Sequence, residues 1–170
     1  REMDGVYMSV FINYSSLNRD YLTIGEYGDI HVIVTSRDET AIQPYAEVPG
    51  TLLKLRDSGY KLYIASNGTS VKQWDKLILL GISLFFEDVF ISESVGEEKS
   101  EHFFRSVMKK IGAKPGECAM VGDKPSIDTI PAKKAGMKTI RVLLGKHKGE
   151  KGKADAEIRN FAELPGILKR

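Results

Sequence analysis

The sequence contains one cysteine, Cys118, among its 170 residues. A single cysteine excludes an internal disulfide, and with it the class of small secreted domains that depend on disulfides for stability. Cys118 begins the apolar run 118–122 (CAMVG). This setting predicts a buried and inert thiol rather than a nucleophile.

Long apolar runs are also absent. No stretch approaches the ~20 residues that a membrane-spanning helix needs, and no signal peptide is recognisable. We therefore expect a cytoplasmic protein with no membrane partner. The chain begins with Arg1 rather than methionine, which suggests that the sequence starts inside a longer natural chain.

The charge is nearly balanced, with 25 basic and 23 acidic residues and a formal net charge of +2. A nucleic-acid-binding protein usually shows a concentrated basic stripe. The one candidate is 146–153 (KHKGEKGK), which two glycines and a glutamate interrupt. We interpret it as a solvated loop and expect no nucleic-acid partner.

From about residue 46 the sequence alternates between strand-like and helix-like segments, with turn residues between them. This alternation predicts an α/β fold, in which helices cover both faces of a parallel sheet in three layers. The predicted strands are 60–65, 86–92, 118–121 and 138–143, and the predicted helices are 48–58, 70–80, 100–111 and 127–135.

Residues 1–45 follow neither pattern clearly and are predicted to form a mostly helical, cap-like segment before an α/β core of residues 46–170. Within the segment, 31–35 (HVIVT) is compatible with a strand because of its β-branched residues, and equally with a buried helix. The aromatic residues of the first 30 positions fit a core, a cap or an interface. The oligomeric state is therefore not predicted.

Polar residues follow three predicted strands, and sites in such sheets lie outside the carboxyl ends of the strands. Ser66, Asn67 and Gly68 follow the first of these strands, where a hydroxyl and turn amides suit an anion, although an ordinary turn has the same residues. Lys99 follows the second. A lysine there can neutralise a phosphate, although a solvated loop lysine is the simpler interpretation.

Two acids follow the third strand: Asp123 comes directly after Gly122, and Asp128 comes five residues later. Two carboxylates at one strand end suit Mg²⁺, which prefers oxygen ligands. Alternatively, Asp128 is a carboxylate at the start of a helix, favoured by the helix dipole.

Together these motifs resemble the haloacid dehalogenase (HAD) superfamily, and the archaeal HAD-type small-molecule phosphatases in particular. The resemblance covers about residues 44–145 and rests on PYAEVPG, YIASNG, EEKSEHFF and GDKPSID followed by AKKAGMKTIRV. It implies a Rossmann-like core and a Mg²⁺-dependent phosphatase that hydrolyses a small phosphorylated metabolite through an aspartyl-phosphate. A metal-independent dehalogenase is disfavoured by the two acids of the last motif.

The resemblance also implies roles for individual residues. Ser66 and Lys99 would contact the transferring phosphoryl group, and Asn67 and Gly68 would shape its pocket. Asp123 would bind magnesium, and Asp128 would ligate or support it. Ser66, Lys99 and Asp123 are thus the expected catalytic residues.

One motif of the family, DxDxT after the first strand, is missing from the sequence. Its first aspartate would be the nucleophile. In one interpretation, the first strand and its aspartates lie upstream of Arg1. In the other, residues 31–40 are a degenerate form of the motif, with Ser36 in place of the nucleophile, and the protein is a catalytically silent phosphate-binding or interaction protein.

Overall fold

The structure, a computed structural model, describes residues 9–12 and 43–169, with only the backbone of Lys146. Its six strands form one parallel sheet in the order β3-β2-β1-β4-β5-β6. The predicted α/β architecture is therefore confirmed. The strands are β1 (Ser9–Ile12), β2 (Lys61–Ser66), β3 (Asp88–Ile91), β4 (Cys118–Gly122), β5 (Lys138–Val142) and β6 (Ala156–Ile158).

Strand β1 lies in the middle of the sheet, between β2 and β4. Ile12 pairs with Ile64 on one side and with Val121 on the other, and all four residues of β1 are buried. The strand between β2 and β4 is therefore formed by residues 9–12, and not by a segment upstream of Arg1 as one interpretation predicted. Residues 31–40, where the other interpretation placed the motif, lie outside the described residues. Residues 9–12 belong to the core rather than to a cap-like segment. The rest of that predicted segment, 1–8 and 13–42, lies outside the described residues.

Helices cover both faces of the sheet because successive strand residues point to opposite sides. In β1, Val10 and Ile12 join the core cluster on one face, whereas Phe11 joins the cluster on the other. The first cluster also contains residues of α1, α2 and α6, and the second contains residues of α4 and α5. The helices are α1 (Val48–Asp57), α2 (Ser70–Leu79), α3 (Ser92–Val95), α4 (Glu101–Ile111), α5 (Thr129–Lys134) and α6 (Leu164–Leu168).

Helix α4 shows how the sequence sets the bounds of an element. Ser100 accepts a hydrogen bond from the amide of Phe103 at 3.0 Å and so caps the first turn. Gly112 ends the helix in the left-handed conformation, with φ of 70°. This cap fixes the path of the chain just after Lys99. Within the described residues, no helix is both long enough and apolar enough to cross a bilayer.

Candidate phosphate-binding site

All five strand pairings in the described sheet are parallel, so the carboxyl ends of the strands meet at one edge. The predicted site residues follow β2, β3 and β4 at this edge. We call them the strand-end cluster: Ser66, Asn67, Gly68, Lys99, Asp123 and Asp128.

The loops after β2 and β3 are tied together by hydrogen bonds from their main chains. The amide of Lys99 donates to Oδ1 of Asn67 at 2.8 Å, and the amide of Gly68 donates to Oγ of Ser92 at 2.9 Å. Glu93 adds a third link, because its carboxylate accepts from the amide of Ser70 at 2.8 Å. This hydrogen bond holds the pKa of Glu93 below its ordinary value. Asn67 and Gly68 thus orient the loop that carries Lys99.

Ser66 ends β2 and is 1% exposed. Its hydroxyl lies 3.3 Å from Oε1 of Gln73 and 3.3 Å from the carbonyl oxygen of Asn67. Gln73 also donates to that carbonyl at 3.1 Å. A side chain at Gly68, where φ is 130°, would place its Cβ 2.3 Å from Nε2 of Gln73. The turn after Ser66 therefore requires glycine.

Lys99 and Asp128 form an ion pair between Nζ and Oδ1, and their side chains are only 1% and 0% exposed. The other carboxylate oxygen of Asp128 accepts from the amide of Lys124 at 3.0 Å. An ammonium group has three N–H donors, and this ion pair uses one of them. Lys99 is thus a buried cation at the strand ends whose ammonium has the capacity to donate further hydrogen bonds.

Asp128 packs directly against the main chain of β4. A Cβ at Gly122 would lie 2.5 Å from both Cβ and Oδ2 of Asp128. Asp123 follows Gly122 and is 4% exposed. Packing therefore explains why a glycine at 122 precedes Asp128 by six positions: Gly122 makes room for the carboxylate that pairs with Lys99.

The residues described do not provide the ligands expected for a resident magnesium ion. Within residues 9–12 and 43–169, no group of three or more His, Cys, Asp or Glu side chains is placed to hold a metal. Both oxygens of Asp128 already bind Lys99 and the amide of Lys124. Asp123, the other carboxylate of the cluster, is 4% exposed. Magnesium stays a prediction from the family resemblance.

The sequence alone did not identify β1, and so it did not identify the residues that directly follow this strand. The residues that follow Ile12 in the sequence are Asn13, Tyr14 and Ser15, which lie outside the described residues. The family resemblance implies an aspartate directly after the first strand and another two positions later. Asparagine and serine stand at these sequence positions. The parallel pairing of β1 between β2 and β4 is the signal that identifies them.

Comparisons with known proteins agree with this fold. A family model described as haloacid dehalogenase-like hydrolase matches residues 9–142, starting at β1. Two proteins named glyceraldehyde 3-phosphate phosphatase are 40% identical. The one from Methanopyrus kandleri matches over 121 residues, and the one from Methanocaldococcus jannaschii over 131.

These matches cover 71% and 75% of this chain but 52% and 58% of the relatives, so the chain spans about half the length of the curated relatives it matches. A HAD phosphatase structure from Thermococcus onnurineus is 24% identical with a TM-score of 0.75, and the match covers 95% of this chain and 97% of that one. At this identity the likeness supports the fold alone.

Proposed function

The chain belongs to the haloacid dehalogenase-like hydrolase family, and we propose that it binds a small phosphate ester at the strand-end cluster. The observation that carries this proposal is Lys99, a buried cation held by Asp128 at the meeting point of parallel strands. Burying a charge is costly unless it is paired. A cation kept at a strand edge, with donors to spare, favours an anionic ligand.

The phosphate group would accept hydrogen bonds from Lys99 and from the hydroxyl of Ser66. Asn67 and Gly68 would act indirectly, because their hydrogen bonds fix the loops from which these groups project. Asp128 would keep the ammonium in place. These roles require no movement of the main chain, since the loops are already joined to one another.

Hydrolysis is one candidate outcome of this binding, and the names of the two phosphatase relatives support it. Family membership by itself would make the chain a HAD-type phosphatase. Turnover through an aspartyl-phosphate would need a carboxylate nucleophile after β1, and Asp123 would be the residue to hold Mg²⁺. The metal would supply positive charge for the transferring phosphoryl group.

The sequence after β1 favours a second candidate, in which the ester is bound but not hydrolysed by this route. Neither the amide of Asn13 nor the hydroxyl of Ser15 is a carboxylate, and no Asp or Glu occurs between Ile12 and Asp20. An aspartyl-phosphate forms on a carboxylate oxygen, which an amide lacks. We therefore infer that the chain is a phosphate-ester-binding protein of phosphatase ancestry, silent in aspartyl-phosphate chemistry.

Two measurements test this proposal. Calorimetry with inorganic phosphate should show binding to the wild type and none to Lys99→Met. Hydrolysis of p-nitrophenyl phosphate with magnesium should be absent from the wild type and gained by Asn13→Asp/Ser15→Asp. Wild-type turnover that disappears on Asp123→Ala would establish the hydrolytic candidate instead. Absence of phosphate binding by the wild type would refute both.

A further inference from the structure

A basic loop of residues 146–153 follows β5 and packs, through Gly152, on the segment that follows Asp123. It includes Lys148, Lys151 and Lys153, all exposed, against the single acid Glu150. These side chains are solvated, as predicted from the sequence. The main chain of the loop is in addition anchored to the sheet at one end and to the segment after Asp123 at the other.

The anchor to the sheet is Arg141, a residue of β5 that is 4% exposed. Its Nη2 donates to the carbonyl oxygens of His147 at 3.0 Å and of Glu150 at 2.6 Å. Its Nη1 lies 3.7 Å from the carboxylate of Glu157. A planar guanidinium that binds several carbonyls at once fixes their relative positions. The first half of the basic loop therefore has a defined conformation.

The second half lies against the segment that carries Asp123. A Cβ at Gly152 would be 2.4 Å from Cβ of Pro125, so the main chain of the loop packs on this proline. Pro125 is two residues after Asp123 in the chain. Lys151 and Lys153 flank Gly152, so the loop brings them beside the segment that follows Asp123. Lys124 lowers the pKa of Glu150, to a lesser extent than the hydrogen bond from His147 does, which also places the loop close to this segment.

The cluster needs positive charge from outside. Its own ionisable residues are one lysine and two aspartates, which leaves it with a net negative charge toward an incoming anion. Lys99 can neutralise part of one phosphate, but an ester with a further anionic group has no partner within the cluster. Lys151 and Lys153 are exposed cations on an anchored segment that packs on Pro125, next to Lys124.

We propose that the basic loop selects phosphate esters that carry a second anionic group, a carboxylate or another phosphate, over esters whose remaining part is neutral. The phosphate would bind at Lys99, and the second group would lie toward Lys151 and Lys153. This inference rests on the proposed function, because it specifies the class of ligand for the same site.

The test compares the dissociation constants of phosphoglycolate and ethyl phosphate by calorimetry, for the wild type and for Lys151→Glu/Lys153→Glu. A control variant, Lys54→Glu/Lys109→Glu, changes the net charge equally. Its lysines lie in the last turns of α1 and α4, which lead to the opposite edge of the sheet.

The wild type should prefer phosphoglycolate. The loop variant should reduce this preference by about 10-fold, because each unit of charge at ~10 Å in water contributes roughly a factor of two. The control variant should preserve the preference. Equal weakening of both ligands by the loop variant, or an equal effect of the control, would overturn the role of the loop and leave phosphate binding intact. Binding of neither ligand by the wild type would refute the proposed function itself.

Discussion

Replacing Lys99 by methionine should destabilise the protein far more than replacing an exposed lysine would. Methionine retains most of the length of the side chain but leaves Asp128, which is 0% exposed, without its cation. Removing one partner of a buried ion pair costs about 3–5 kcal/mol. Since a domain of this size is stable by ~5–15 kcal/mol, the variant would lose a large share of its stability.

A second substitution tests whether this cost comes from the unpaired charge. In Lys99→Met/Asp128→Asn no charge remains, and the asparagine oxygen can still accept the hydrogen bond from the amide of Lys124. The double variant should therefore be more stable than Lys99→Met alone, with a coupling free energy of about 2 kcal/mol or more. Neither variant should bind inorganic phosphate, because both lack the ammonium.

Urea denaturation followed by circular dichroism measures these differences, provided that the slope of the unfolding free energy against urea is unchanged. Lys54→Met is the control, since Lys54 is exposed on α1. A loss of unfolding free energy for Lys99→Met within ~0.5 kcal/mol of that for this control would refute the argument. So would a loss for Lys99→Met/Asp128→Asn equal to the sum of the losses for Lys99→Met and Asp128→Asn.

Two further predictions concern the support of the site. Gly122→Ala should lower the free energy of unfolding by about 1–3 kcal/mol and weaken phosphate binding, because its Cβ would lie 2.5 Å from Asp128. Gly116→Ala, which has open space at Cβ, should lower it much less. Equal effects of the two substitutions in urea denaturation would contradict this prediction. Glu93→Gln should flatten the acid limb of the stability profile. The amide of Ser70 holds the pKa of Glu93 below its ordinary value, so the wild type gains stability above about pH 4.3 and loses it as the pH falls through the lowered pKa; identical profiles from pH 6 to 3 would exclude this contribution.

Much of the core could be predicted from local sequence because its helices and strands begin and end at recognisable capping and turn residues. Helix α4 has a serine cap and a terminal glycine, β2 ends at Ser66, and β4 ends at Gly122 directly before Asp123. Parallel strands bring such ends together, so the proximity of Lys99 to Asp128 was within reach of sequence reasoning. The sequence could not show that Lys99 pairs with Asp128 in particular, because the space for Asp128 depends on how closely it packs on Gly122.

The central strand β1 was not predictable in the same way. It has four residues, and burial on both faces removes the alternation of polar and apolar residues that identifies a half-buried strand. The family resemblance gave no help, because the acids that would mark the end of the strand are replaced by Asn13 and Ser15. Ser36, the other candidate position for the first acid, follows an apolar run that is richer in β-branched residues than β1 is. Pairing with β2 and β4, a long-range property, is what identifies β1.

The substitutions after β1 also change the electrostatics of phosphate binding. With two aspartates at these positions, four acids would surround a phosphate dianion with one lysine, and a divalent cation would be needed to offset the repulsion. Asn13 and Ser15 remove two of those negative charges, while Lys99 stays in place through Asp128. The same changes that remove the nucleophile therefore lower the electrostatic need for magnesium. For this chain, phosphate binding should persist in EDTA, and restoring both aspartates should make it depend on magnesium; loss of wild-type binding in EDTA would show that the metal remains essential.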